Sequence, residues 1–327
     1  MSDLAEKFFK TPIPESAWHY TTLGGLEGIL SSNTVWATEA HYTTDASEFI
    51  HARAVTLDFL ESIKPDDEGM ARAKQAGLEM LVHAFDEGVL SPSKTEVFVA
   101  SFSSAEDLKS QWMEYADGGR GISIAFDLRT IRPPQEFGYA VTFAPCVYFE
   151  VEKKTLLEAA LSHFINMIAR LYRETGSRQW ARQQLRDWRR VGNIYGLKFD
   201  RAAFDAAMQK RFDEKLHTAL ARTSFDLLRL ASHCKDQAFH QECEWRLSLP
   251  HSKSKPLIQN KVLYRGNKQS IPYLAHNLFQ KKLPITHVLA GPLCQDMTSI
   301  QGLLDKYGCQ AAVTKSAIPI RSANEIR

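Results

Sequence analysis

The sequence predicts an α+β fold, with strands from both ends of the chain sharing one sheet around a helical middle. Three observations predict it. Short β-prone runs separated by turn residues fill the first 150 positions, alongside two helical stretches. Helical periodicity dominates residues 151–236. Alternating runs then return and continue to the end of the chain. Strands on both sides of a helical stretch imply one domain spanning 1–327, with 151–236 as an insertion in it.

The elements follow in order. Ala17–Thr21 (AWHYT) is aromatic and β-prone, and LEGIL after Gly24-Gly25 has helical spacing. Asn33–Ala37 predicts a second strand. Thr44 and Asp45 are candidate N-caps for a helix through SEFIHARAVTLDFLESI, and KPDDEG ends it. A second helix is expected over about Met70 to Glu87. Glu96–Phe102, Gly121–Phe126 and Val141–Tyr148 predict strands. Gly118-Gly119-Arg120-Gly121 reads as a tight hairpin turn, although its backbone N–H groups could also cradle a phosphate. The middle holds LLEAALSHFINMIARLY and a stretch from about Ala202 to Leu230, both amphipathic. Glu244–Leu249, Lys261–Arg265, Ile271–Ala275 and Thr286–Ala290 are strand candidates. Met297–Tyr307 predicts a helix and Ala311–Ile320 a closing strand.

Composition narrows the class. Of 327 residues, 44% are apolar and 24% charged, the balance of a globular protein. Forty basic and 38 acidic residues give a net charge of +2, so any site for a polyanion must be a local patch. No apolar run reaches the roughly 18 residues of a membrane span. The opening MSDLAEKFFKTPIPES reads as neither a secretory signal nor a transit peptide. Five scattered cysteines point to a reducing, cytoplasmic compartment.

Several residues could carry chemistry. On what reads as an edge-proximal strand, His19 could donate a hydrogen bond to a ribose hydroxyl and Tyr20 could stack on a planar ring, or both could be half-buried sheet residues. Ser101 and Ser103 flank Phe102, so both hydroxyls would share one face. In QECEWR, a strand would put Glu242, Glu244 and Arg246 on one face. The two carboxylates then repel unless a cation sits between them or solvent screens them. Two accounts stay open. A glutamate here could stabilise an oxocarbenium-like sugar centre, or the three could form a solvent-facing ladder of ion pairs. His233, Cys234, His240 and Cys243 lie close in sequence, but their spacing fits no standard zinc module. Arg178, Arg182 and Arg186, with Trp180 and Trp188 interleaved, form a stripe able to bind nucleic acid or to act as a solvated helix face.

Taken in order, HYTTLGGLEGIL, VWAT, TDASE, VASFS, SQWMEYADGGRGISIAFD, ECEWRLSL and IPIR resemble a bacterial family of uncharacterised proteins, domain of unknown function 2971. The resemblance runs from Trp18 to Arg321, with the helical middle poorly matched. That family is distantly similar to ADP-ribosyltransferases, which implies a split mixed or antiparallel sheet with flanking helices and NAD bound as substrate across the split. On that resemblance His19 and Ser101 or Ser103 hold the nicotinamide ribose, Tyr20 stacks on the nicotinamide, and Glu244 stabilises the charge that develops as nicotinamide leaves. Trp112, Tyr115 and Arg246 would line the NAD site, while Asp45, Glu48 and Glu242 would position an acceptor. The activity implied is ADP-ribosyl transfer to a protein or nucleic acid in a bacterial defence or toxin setting. NAD hydrolysis and a non-catalytic binding module are the alternatives.

Overall fold

A computed structural model describes residues 3–43, 48–88, 90–131, 141–176, 186, 201–253, 261–266, 270–277, 279 and 282–320. By internal contacts it divides into two units. One comprises 1–6, 50–94 and 154–230; the other comprises 7–49, 95–153 and 231–327.

The first unit is helical. It holds α3 (Glu48–Ser62, from residue 50 on), α4 (Glu68–Asp86), most of α6 (Glu150–Gly176) and α7 (Arg201–Ala231). Asp67 caps α4 by accepting from the Met70 N–H at 2.7 Å and also accepts from Arg173 Nε at 2.6 Å. A Cβ at Gly77 would meet Ile165 Cδ1 at 2.5 Å, with Leu60 and Phe164 just beyond, so α3, α4 and α6 meet there closely. The middle helices therefore share their core with helices from the first third of the chain.

Among the described residues, the second unit carries a ten-stranded sheet. Its elements are β1 (Ser16–Thr21), α2 (Leu23–Ser32), β2 (Val35–Glu39), β3 (Thr95–Ser103), α5 (Lys109–Tyr115), β4 (Ile122–Asp127), β5 (Thr142–Pro145), β6 (Glu244–Ser252), β7 (Leu263–Arg265), β8 (Ile271–His276), β9 (Ile285–Ala290), α8 (Met297–Lys306) and β10 (Ala312–Lys315). The main path runs β10-β9-β4-β1-β3-β2-β8-β7, with β6 on the other edge of β3 and β5 outside β6. Among the described strands β9 and β10 pair in parallel and the other ladders are antiparallel. The expected α+β class, with strands from both chain ends in one mixed sheet, is what the structure contains.

The sheet divides at β3. One edge of this strand pairs with β6 over nine residues, from Thr95↔Ser252 to Ser103↔Glu244. The other edge is shared. β2 pairs at Phe98 and Val99, and β1 pairs at Ser103. Between them Ala100, Ser101 and Phe102 face neither strand's ladder, and the sheet opens.

Three expectations change. First, β1 lies between β4 and β3 and is not an outer strand, but it pairs with β3 only at Trp18↔Ser103, so His19 stands beside the opening inside the sheet. Second, Gly118–Gly121 is no hairpin. β3 and β4 both flank β1, so the chain between them crosses over through α5 and a 3-10 turn at Asp117–Gly119. That turn runs through left-handed backbone at Asp117 (φ 48°) and Gly118 (φ 60°). Third, the closing strand is short, because the chain leaves the sheet after Lys315. Ser316 Oγ and the Ala317 N–H both donate to Asp107, and Ile318 and Ile320 pack on the Trp18, Tyr20 and Trp112 cluster.

Candidate functional site

Where β1 and β2 part along β3, the sheet unit has a cleft of about 510 Å³. That lies within the usual range for small-molecule sites, roughly 300–1,000 Å³. His19, Trp36, Ser101, Glu244, Arg246 and Arg265 are among its walls.

His19 reaches across the opening. Its Nδ1 lies 2.9 Å from the Ser101 carbonyl. A carbonyl oxygen can only accept, so Nδ1 carries the hydrogen. Burial lowers the ring's pKa, and the Arg265 charge lowers it further against the Ser101 bond. The neutral imidazole therefore keeps Nε2 as an acceptor. The ribose contact expected with histidine as donor reverses: a ligand hydroxyl would donate to His19.

At the base of the cleft lies a buried quartet of charges. Glu244, 3% exposed, receives Arg246 Nε on Oε1 at 2.8 Å, and Arg246 Nη2 and Lys235 Nζ on Oε2 at 3.2 and 2.7 Å. Lys235 also donates to Glu242 Oε2, and the Tyr115 hydroxyl donates to Glu242 Oε1 at 3.2 Å. Arg246 Nη1 donates to the Ser232 carbonyl at 2.9 Å. Burial works against ionising Glu244, but Arg246 and Lys235 outweigh it and hold its pKa far below the usual carboxylate range. Burial likewise disfavours the Lys235 ammonium, yet the carboxylates of Glu244 and Glu242 keep its pKa above the ordinary lysine value.

This geometry corrects the solvent-facing ladder, because Glu242, Glu244 and Arg246 are all buried. It supplies the cation that two adjacent glutamates require. The backbone differs from a plain strand: Glu242 ends a 3-10 turn, Cys243 is left-handed at φ 48°, and β6 begins at Glu244. Lys235 had no periodic signal in the sequence. It is set by backbone pairing, since its N–H donates to the Val147 carbonyl at 2.9 Å while the Val147 N–H donates to the His233 carbonyl at 2.8 Å.

The other candidates separate. Ser101 is exposed in the cleft, whereas Ser103 is buried and donates to the Glu242 carbonyl at 2.7 Å. Tyr20 touches the cleft but is 6% exposed, with its ring edge-on to Trp112 at 4.9 Å. Its hydroxyl donates to the Ala105 carbonyl and accepts from the Leu108 N–H, and burial raises its pKa to about 12. The ring thus packs edge-on against Trp112 with its hydroxyl held on both sides. Trp112 is fully buried, donates to Asp107 at 2.6 Å and does not line the cleft. Tyr115 and Arg246 do line it. Glu48 begins α3, and nothing is described of its side chain. Asp45, Arg178, Trp180, Arg182 and Trp188 lie outside the described residues, as does Thr44; Arg186 is described as helical. His233 and Cys234 are buried while Cys243 is exposed, and no described group of three His, Cys, Asp or Glu residues is placed to hold a metal. No helix among the described residues is long and apolar enough to cross a membrane.

Trp36, Thr38, Tyr42 and Arg265 are cleft residues that sequence reasoning missed. Trp36 and Thr38 alternate along β2, a signal that identifies a face without saying that the face is open.

Residues 111–247 match the family model described as "Protein of unknown function (DUF2971)". Over that stretch the chain is similar to this family. The matched stretch carries the quartet and Tyr115, while the DUF2971 match leaves out His19, Trp36, Ser101 and Arg265. No curated protein and no solved structure matches the chain.

Proposed function

We propose that the cleft takes NAD as substrate and that the protein transfers ADP-ribose to a macromolecular acceptor. The bond between ribose C1′ and the nicotinamide nitrogen breaks, and its electron pair leaves with nicotinamide. An acceptor nucleophile bonds to C1′ and gives up its proton. The observation that carries this reading is that His19 and Glu244, 225 positions apart in sequence, line one cleft at the division of the sheet. Neutral His19 offers Nε2 to a ribose hydroxyl. Glu244 stays ionised across the working pH range and supplies negative charge near a developing oxocarbenium centre.

A second reading has its own support. Both Glu244 oxygens are already held by Arg246 and Lys235, an arrangement suited to a cleft that binds a nucleotide without cleaving it.

Nicotinamide release from NAD by the purified full chain tests between them. On the transferase reading Glu244→Gln reduces release by about 10²-fold or more, the loss typical of removing one electrostatic stabiliser. Equal release by the variant removes Glu244 from the mechanism, and no release by the unmodified protein favours binding alone. Label from NAD appearing on a macromolecule marks transfer, whereas free ADP-ribose marks water as acceptor.

A further inference from the structure

Arg265 ends β7 and lines the same cleft. Its guanidinium carbon lies 5.8 Å from the Trp36 ring centre and 5.7 Å from that of Tyr273. Those two rings pack together at 4.8 Å. Nη2 donates to Thr38 Oγ1 at 2.7 Å. This stack orients the guanidinium plane, but it supplies no negative charge. Among the described residues Arg265 forms no ion pair with a carboxylate. The two glutamates that line the cleft are taken by Lys235 and Arg246. An exposed arginine held by two rings and a threonine, with N–H groups to spare, is prepared for an anion with several oxygens.

We infer that Arg265, on its Trp36 and Tyr273 support, is an anion subsite that takes the phosphate groups of a nucleoside diphosphate ligand. The identity of that ligand rests on the NAD reading; the anion chemistry rests on the surroundings of Arg265. The subsite gives the cleft two unlike ends. Neutral His19 suits sugar hydroxyls, and a cation with no carboxylate partner among the described residues suits phosphate.

Calorimetry on the full chain with ADP, ADP-ribose and phosphate-free adenosine tests the inference. Arg265→Ala should weaken ADP and ADP-ribose by about tenfold or more, through loss of a charge-assisted hydrogen bond, and should leave adenosine unchanged. Arg265→Lys should fall between, because it keeps the charge and loses the fork and the stack. Arg265→Gln serves in the same way if the alanine variant does not fold. Unchanged ADP affinity in the variants, or ADP bound no better than adenosine by the unmodified protein, overturns the subsite. The two proposals fail separately. Nicotinamide release with Arg265-independent ADP binding sinks the subsite alone, and Arg265-dependent ADP binding without release sinks the cleavage reading alone.

Discussion

Lys235 shows how single side chains decide whether this cleft can exist. Glu242 and Glu244 are two residues apart, both buried, and both bonded to one ammonium. Remove that ammonium and two carboxylates face each other with only Arg246 to offset them. Lys235→Met should therefore lower unfolding stability by about 3–5 kcal/mol, the usual cost of leaving a buried charge unpaired. Urea unfolding followed by tryptophan fluorescence measures it. The pH dependence has a definite sign. Glu244 ionises below its ordinary value of 4.5 when folded, so its contribution is present above that pH and lost as pH falls through the folded value. Lys235 is raised above 10.5, so its contribution is complete below that pH and lost as pH rises through the folded value. Wild-type stability should thus decline below about pH 4.5 through this pair, and Lys235→Met should flatten that limb. An acid limb of unchanged steepness in the variant would show that other carboxylates dominate.

Among the elements, the pairing of β1 with β4 depends on a tight junction where β4 begins. A Cβ at Gly121 would lie 2.3 Å from the Thr21 carbonyl and 2.9 Å from Ala116 backbone atoms. These are backbone contacts at the end of β1 and after α5, so no side-chain rotation relieves them. Gly121→Ala should cost about 1–3 kcal/mol, as overpacking does, and should disturb the start of β1–β4 pairing at Thr21↔Ile122. Thermal unfolding gives the first quantity, and amide exchange at Ile122 and Ser123 reports the second. A variant as stable as wild type would mean that the crossover has slack the close contacts do not suggest. The sequence pointed to a turn at this place through its glycines, yet a glycine cluster serves a hairpin and a crossover equally well.

For the molecule as a whole, the consequence lies in how the chain is shared between units. The helical unit draws on 50–94 as well as 154–230, and Gly77 of α4 packs against Ile165 and Phe164 of α6. Residues 154–230 expressed alone should lack the part of the core that 50–94 supplies and fail to unfold cooperatively. Joining 50–94 to them through a short linker should restore a cooperative transition, read by far-ultraviolet circular dichroism. Cooperative unfolding of 154–230 alone would make the middle a self-sufficient insertion.

The order and type of most elements are legible in the chain read as text, since periodicity and turn residues are local properties. So is the requirement for a cation near Glu242 and Glu244, because two neighbouring carboxylates repel wherever they are buried. Folding alone selects Lys235 as that cation, turns Ser101 and not Ser103 to the cleft, and commits Tyr20 and Trp112 to packing. It also brings Arg265 to the opening that His19 lines. These outcomes depend on which strands share the edge of β3, and pairing between strands far apart in sequence, such as Trp18 with Ser103 and Thr38 with Val99, leaves no periodic trace in either strand.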